Sequence, residues 1–405
     1  MIRHRNLKEK SMRLRAGKPE DVGVSTDRVN KIRKNAQGWV DDGIHPSLVI
    51  LAARHGVIFL HEALGVLGTE DPSCPIELNT IFPLASISKP ITATVAMILV
   101  EDGLLGLNRP VREYIPEFEG EGKEQVMVHH LLTHTAGIDD EATWAVIDEK
   151  EEASVDVTAC EETQHPAIHR SLYYGFDVPL ARKPGIEMSY SNYCYWLLGE
   201  IIRRVSAQSL DSFASERIFK PLGMDNTWYS IPEGVSHRII QRPPDAPRPE
   251  YNNEMQEIPS ASSGVYSTAL DMAVFGQMFL NQGCYGEARI LSPVTVAAMT
   301  RNQIPGISAR DLEQIFPEAS WGLGWSINAE FKGEVWGEAM VSPSSYLHSG
   351  STGVLLWIDP VRDLVGVYFS ALMNFREVAL PTVGDRNNWC ADLFMNMVTA
   401  SSDDL

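Results

Sequence analysis

The sequence predicts an α+β fold: an antiparallel β-sheet flanked by helices, with a mostly helical domain inserted between the two halves of the sheet. Three observations carry this. Two β-rich apolar runs flank a His55-Gly56 turn within Ser47 to Gly65. Strand signals then lapse from Leu104 to about Ser320, where short helices alternate with proline and glycine. They return as YLHSG, TGVLLWIDP and DLVGVYFSAL, followed by a helix from about Asp385 to Ala400, so that the late strands can pair with the early hairpin. The organisation expected is a flexible basic leader at 1–20, a sheet domain formed by 21–103 with 321–405, and a helical insert at 104–320.

Each element has a local cause. TDRVNKIRKNAQGWVDD (Thr26 to Asp42) places Val29, Ile32, Ala36, Trp39 and Val40 at helical spacing, with a cap at Ser25 or Thr26 and a stop at Gly43, and reads as an amphipathic outer helix. The stretch from Ser86 through ITATVAMILVEDG is apolar nearly all round, the pattern of a helix buried in the middle of a domain. In the insert, MSYSNYCYWLLGEIIRRV (Met188 to Val205) is a second strongly apolar helix, and STALDMAVFGQMFLNQG (Ser267 to Gly283) a third, amphipathic and closed by glycine. QRPPDAPRPEYNNE (Gln241 to Glu254) is a loop, and the strands of DLVGVYFSAL and TGVLLWIDP are separated by the turn residues Asp359 to Asp363.

Composition narrows the function. With 405 residues and 44% apolar content the chain can bury a large core. A net charge of −19 argues against nucleic acid or an anionic membrane as a partner, because the sequence-independent part of such binding is attraction to positive charge. The five cysteines, Cys74, Cys160, Cys194, Cys284 and Cys390, are odd in number and scattered, which suggests neither a disulfide framework nor a zinc site. The basic MIRHRNLKEKSMRLR reads as a frayed terminus with no signal-peptide core after it, and no run is long and apolar enough to span a membrane. A cytoplasmic location is therefore expected, and the oligomeric state is left open.

Three motifs carry chemistry. In Ser86-Ile87-Ser88-Lys89 a hydroxyl and an amine lie one helical turn apart on one face, so a nucleophile and its base can touch, and the helix N-terminus favours an oxyanion there. It is the one lysine in the chain with a serine three residues before it. Tyr190-Ser191-Asn192 places a phenol at a loop-to-helix junction, where a neighbouring ammonium would let it shuttle protons, and an amide that can hold a lysine or a substrate carbonyl. The copy at Tyr251-Asn252-Asn253 lies in the polar loop with no apolar element behind it. The third motif is His348-Ser349-Gly350-Ser351-Thr352-Gly353, where glycine admits close approach of a ligand and an edge strand offers free N–H groups. The Ser351 N–H is a candidate oxyanion donor beside that of Ser86. Taken alone, this last motif equally describes a hairpin of small residues with a buried histidine.

Together and in this order, Ser-x-x-Lys, Tyr-x-Asn and His-x-Gly resemble the serine β-lactamase and penicillin-recognising family, in particular its class C-like branch. LLTHTAG (Leu131 to Gly137), PLGM (Pro221 to Met224), SSGVYSTALDMAVFGQMFLNQG, WGLGW and GVLLWIDPVRDLVGV extend the similarity over nearly the whole chain. The resemblance implies a β-lactamase/transpeptidase-like fold and a serine hydrolase without cofactor or metal. It implies Ser86 as the acylated nucleophile, Lys89 as its partner in proton transfer and Tyr190 as general base and acid. It further implies Asn192 as a contact to lysine and substrate, and His348, Gly350 and Ser351 as the oxyanion strand. Whether Lys89 or Tyr190 takes the first proton stays open. The chain carries histidine at 348 where class C β-lactamases have lysine, so the expected activity is cleavage of carboxylic esters, as in family VIII carboxylesterases. The alternatives are a β-lactamase or D-amino-acid peptidase acting on amides, and a binding protein that keeps the pocket without turnover.

Competing sites are weak. There is no Gly-x-Ser-x-Gly elbow, no H-E-x-x-H and no phosphate loop. His130 and His134 have the spacing of two ligands on one helix face but no carboxylate or cysteine joins them, so they are expected to brace the loop at Gly137. Trp144, Tyr173, Tyr174 and Phe176 are candidates to line an apolar pocket or to pack within the insert.

Overall fold

Strands as uniformly apolar as LVILAA and VLLWI need cover on both faces, and the sheet receives it. The structure, a computed structural model, describes residues 12–68, 73–242, 257–311, 314–328, 340–372 and 389–402. The leader as far as Ser11, the proline-rich loop beyond Arg242 with its Tyr251-Asn252-Asn253 copy, and the expected helix start at Asp385 lie outside these residues. In chain order the sheet strands are β1 (Arg15–Ala16), β2 (Ser47–Arg54), β3 (Val57–Gly65), β4 (Ser326–Ile327), β5 (Tyr346–Gly350), β6 (Val354–Asp359) and β7 (Leu364–Ser370). Spatially they run β1-β3-β2-β7-β6-β5-β4, antiparallel except for the short parallel pairing of β1 with β3. The early hairpin and the late strands are joined where β2 meets β7, in register from Leu48 opposite Ser370 to Arg54 opposite Leu364.

Alternate residues of these strands enter two cores. On the outer face Leu48, Ile50, Ala52, Leu355, Trp357, Leu364 and Tyr368 pack against α1 (Thr26–Asp41) and the terminal helix, which spans Ala391–Thr399. Trp357 meets Phe394 edge-on with ring centroids 5.6 Å apart. The cap of α1 is Ser25, whose hydroxyl accepts from the Arg28 N–H. On the inner face Val49, Leu51, Ala53, Leu356, Ile358, Val365, Val367 and Phe369 join one large core with three helices, α2 (Ser88–Glu101), α5 (Asn192–Ser206) and α6 (Ala269–Leu280). Two smaller helices of the middle segment, α3 (Asp140–Glu152) and α4 (Pro166–Gly175), pack outside α5. We name the terminal helix α7.

α2 is buried from Ser88 through Leu99, as its all-round apolar sequence requires. Two expectations need correction. α6 is not amphipathic: it is buried almost all round because it lies on β2, β6 and β7 with insert chain on its other side. Its acidic residue, Asp271, is satisfied by the Asn226 N–H and the Thr227 hydroxyl. α5 begins at Asn192 rather than Met188, because Glu187–Ser189 forms a short strand paired with Ser308–Asp311 and Ser191 caps the helix. That displacement leaves Tyr190 between strand and helix.

The middle of α5 is tied down by ion pairing around one buried carboxylate. Glu200, 4% exposed, receives Arg203 through Nε at 2.8 Å and Nη2 at 2.9 Å, Arg204 Nε at 2.6 Å and Gln164 Nε2 at 2.8 Å. Arg203 reaches on to Glu161 and Arg204 to Glu117, so the helix is linked to two neighbouring loops. Removing the carboxylate leaves Arg203, itself 7% exposed, as a buried charge without its main partner. Glu200→Ala is therefore expected to lower unfolding stability by about 3–5 kcal/mol in a denaturant titration. A loss below about 1 kcal/mol in that titration would show that the pairing contributes no more than a surface ion pair.

Candidate active site

The Ser86 position is made by a turn, not by the α-helix itself. Ala85–Ile87 is a 3₁₀ turn leading into α2, and Ala85 has φ +44°, a left-handed conformation that costs a non-glycine residue about 1–2 kcal/mol. Surrounding bonds hold it: Leu84 N–H donates to Val265 O at 2.8 Å and Ile87 N–H to Leu84 O at 3.1 Å. Ser86 is thereby turned into partly open space while Ile87 and Ser88 are fully buried. The Ser88 hydroxyl accepts from the Val265 N–H at 2.9 Å, and Thr92 donates to Ala261 O, which pins segment 260–268 along α2.

Lys89, the second residue of α2, is 0% exposed. Its Nζ donates to Ser86 Oγ at 3.1 Å, to Asn192 Oδ1 at 2.8 Å and to Ser262 O at 3.1 Å, which uses the three hydrogens of an ammonium. It also lies 4.7 Å from the centroid of the Tyr190 ring and 5.7 Å from that of Tyr195. Burial pulls the amine down to about 7, although electrostatic interaction with Asp140 and, less, with Cys194 opposes the fall. Near neutral pH a large share of the molecules thus carry a free amine lone pair in contact with the serine hydroxyl.

Tyr190 is the most exposed member of the group, at 37%. Its ring rests on His134, centroids 4.4 Å apart, and touches Trp321 and His348 at 5.9 and 6.3 Å. His134 has φ +57° and is buried; its Nδ1 accepts from the Ser191 N–H at 3.1 Å, which places the proton on Nε2. His348 Nδ1 lies 2.8 Å from Ser349 O, so the proton is there and Nε2 is bare. Burial first, then the Lys89 charge, pulls His348 down to about 3, so the imidazole is neutral at physiological pH. His134 is likewise pulled well below the ordinary imidazole range by burial.

β5 runs beside the nucleophile turn. A Cβ on Gly350 would stand 2.2 Å from Leu84 O, so only glycine lets the strand lie this close. Thr352 Oγ1 donates to Pro83 O at 2.6 Å and fixes the strand end. Among the described residues, the neighbouring β4 pairs with Tyr346 and Leu347 and no strand pairs on that side from His348 onward. Among the described residues neither the Ser86 nor the Ser351 N–H donates to a backbone carbonyl.

The structure thus brings together Ser86, Lys89, Tyr190 and Asn192, with the His348–Ser351 strand at the turn that carries Ser86. His130 and His134 do not face a common point: His130 Nδ1 accepts from its own helix start at Met127, and His134 serves Ser191. Of the aromatic candidates, Tyr174 and Phe176 are packed inside the middle segment. Trp144 stands edge-on to Trp196, which donates to Ser262 Oγ beside the lysine. Two participants have no motif. Ser262 acts through its carbonyl, which any residue possesses. Asp140, in an acidic run, receives four hydrogen bonds from Ser191, Asn192 and Tyr193. Its only signal in the sequence is its place just after Gly137, whose φ of +80° and backbone contact with Arg182 O turn the chain back toward Tyr190.

Comparison with known proteins identifies the family and the fold. A putative D-alanyl-D-alanine carboxypeptidase of Salmonella paratyphi B is 27% identical over 387 residues, covering 87% of this chain and 84% of that one. The crystal structure of a penicillin-binding protein homologue from Caulobacter crescentus superposes with a TM-score of 0.68 at 23% identity, covering 87% of this chain and 93% of the other. A family VIII carboxylesterase superposes at 0.69 with 20% identity, covering 94% and 98%. The profile of the family named Beta-lactamase matches residues 32–383, and the chain is a member of the β-lactamase family.

Proposed function

We propose that the protein is a serine hydrolase that cleaves carboxylic esters through an acyl-enzyme on Ser86. The observation that carries this reading is the contact of a buried amine, drawn down to about 7, with the Ser86 hydroxyl. Neutral Lys89 takes the hydroxyl proton as Oγ attacks the ester carbonyl carbon, and the Ser86 and Ser351 N–H groups receive the oxyanion. Collapse breaks the C–O bond, and the alcohol leaves with a proton delivered through Tyr190 and Lys89. A water then gives up its proton by the same route, adds to the acyl carbon and releases the acid and Ser86. Asn192 holds the amine in line throughout.

The preference for esters rests on position 348. A neutral, buried imidazole offers no fixed positive charge to the carboxylate of a β-lactam or a cell-wall peptide. The second reading, an amide-cleaving peptidase or β-lactamase, is favoured by the D-alanyl-D-alanine carboxypeptidase name of the Salmonella relative.

Four outcomes are expected. Ser86→Ala abolishes hydrolysis of short p-nitrophenyl esters and labelling by a serine-directed phosphonate, followed by mass spectrometry; persistent labelling means that another residue is the nucleophile. Because only the unprotonated amine can accept the proton, activity of the wild type rises as pH increases through about 7, and a rate that is flat from pH 5 to 9 rules out Lys89 as base. Gly350→Ala, which forces β5 away from Leu84, lowers kcat about 10²–10³-fold, the cost of a displaced oxyanion donor. Turnover of a short ester, a chromogenic cephalosporin and a D-Ala-D-Ala peptide by one preparation separates the readings. The ester should be fastest, and a faster amide substrate replaces the esterase reading with the second one.

A further inference from the structure

We infer that Asp140 is a positioning residue of the Ser86 site, its carboxylate holding the Asn192 amide with the oxygen towards Lys89 and setting a negative charge against that amine. The inference rests on the reading of Ser86 and Lys89 as nucleophile and base.

The geometry separates this role from ordinary helix capping. Asp140 Oδ2 accepts from Asn192 N at 2.6 Å and Oδ1 from Tyr193 N at 3.2 Å, while the Ser191 hydroxyl donates to Oδ1 at 2.6 Å and accepts from Cys194 N at 3.1 Å. Those bonds satisfy the first three N–H groups of α5 and would suffice as a cap. The fourth bond received by Asp140 does something else. Asn192 Nδ2 donates to Asp140 Oδ2 at 3.1 Å, which leaves Oδ1 to accept from Lys89 at 2.8 Å. A carboxylate can only accept here, so the amide cannot turn over without opposing its oxygen to Asp140 and its NH₂ to the lysine.

Charge acts in the same place. The groups facing Lys89 are the Ser86 hydroxyl, the Asn192 amide, the Ser262 carbonyl, the phenols of Tyr190 and Tyr195, the Cys194 thiol, the imidazoles of His134 and His348, and Asp140. Burial holds the thiol up at about 12 and the Tyr195 phenol well above its usual range, and keeps both imidazoles neutral. Asp140 is the carboxylate in this set, and its charge opposes the loss of the lysine proton. Removing the charge makes the amine easier to deprotonate, so the acidic limb of the rate profile must move to lower pH.

The test compares wild type with Asp140→Asn, measuring both ester turnover and the rate of Ser86 labelling by a fluorophosphonate from pH 5 to 9. The variant's plateau kcat is expected to fall about 10–100-fold with KM within about threefold, because the amide is misaligned in the transition state. Its limb midpoint should lie lower by roughly half a pH unit or more, the sign and scale of one removed charge at short range. A fallen plateau with an unmoved midpoint means that Asp140 is a cap and overturns the inference. Asn192→Ala supplies an independent check: adding Asp140→Asn to it should cost little further in plateau kcat, and multiplying losses overturn the shared path. Where Asp140→Asn does not fold, Asp140→Glu keeps the charge, and is expected to hold the wild-type midpoint with a lowered plateau; an unchanged plateau overturns positioning. Wild-type protein that is never labelled at Ser86 instead defeats the hydrolase reading itself.

Discussion

An amine sealed from water at the start of an apolar helix must either surrender its proton or be given a counter-charge, and the site is organised around holding Lys89 between these two outcomes. A carboxylate in direct contact would have kept the ammonium charged and useless as a base. No counter-charge at all would have left a free amine with no hold on the Asn192 amide. Asp140 is instead placed one amide away, with Asn192 standing between carboxylate and amine. The Ser262 carbonyl and the Ser86 hydroxyl complete a polar shell of neutral groups. Such a shell can orient an amine in either protonation state without choosing one of them.

The same constraint explains why so much of the chain converges on α2. The helix has to be buried to lower the lysine, and burial needs the inner face of the sheet, α5 and α6 to close over it. Its own polar residues are then satisfied across to segment 260–268, through Ser88 to Val265 and Thr92 to Ala261. Residues far apart in sequence, at 83, 265 and 352, thereby fix a turn whose Ala85 is strained, and the strain is what aims Ser86 outward.

The parts of this that were legible in the sequence are those whose causes are local. Ser86 and Lys89 lie three residues apart across the start of α2, the β2–β3 hairpin turns at its own glycine, and the strands after residue 345 announce themselves by apolar density. What escaped depends on partners remote in the chain. The start of α5 moved to Asn192 because a carboxylate 52 residues upstream caps it and a strand claims Met188. α6 reads as amphipathic in isolation, yet Asp271 finds buried partners at 226 and 227 and the helix is covered. Asp140 belongs to an acidic run whose other members face solvent or pair at the surface, and composition cannot single out the one that turns inward.

Position 348 shows how one substitution redistributes electrostatics without altering the fold. β5 needs Gly350 to approach Leu84, and that requirement does not involve the side chain at 348. A lysine there would add a second cation close to Lys89, depressing its proton affinity further and demanding a counter-ion that the described surroundings, His134, Tyr190 and Trp321, do not supply. Histidine removes that demand, because its Nδ1–H is satisfied by the carbonyl of Ser349 and burial keeps the ring uncharged. Among the described residues the site therefore has Lys89 as its titrating cation and Asp140 as the carboxylate set against it. A binding cleft balanced in this way gains nothing electrostatically from an anionic substrate, and the net charge of −19 on the chain opposes the approach of one. On the proposed reading, selection among acyl donors then falls to shape and to the ester carbonyl itself.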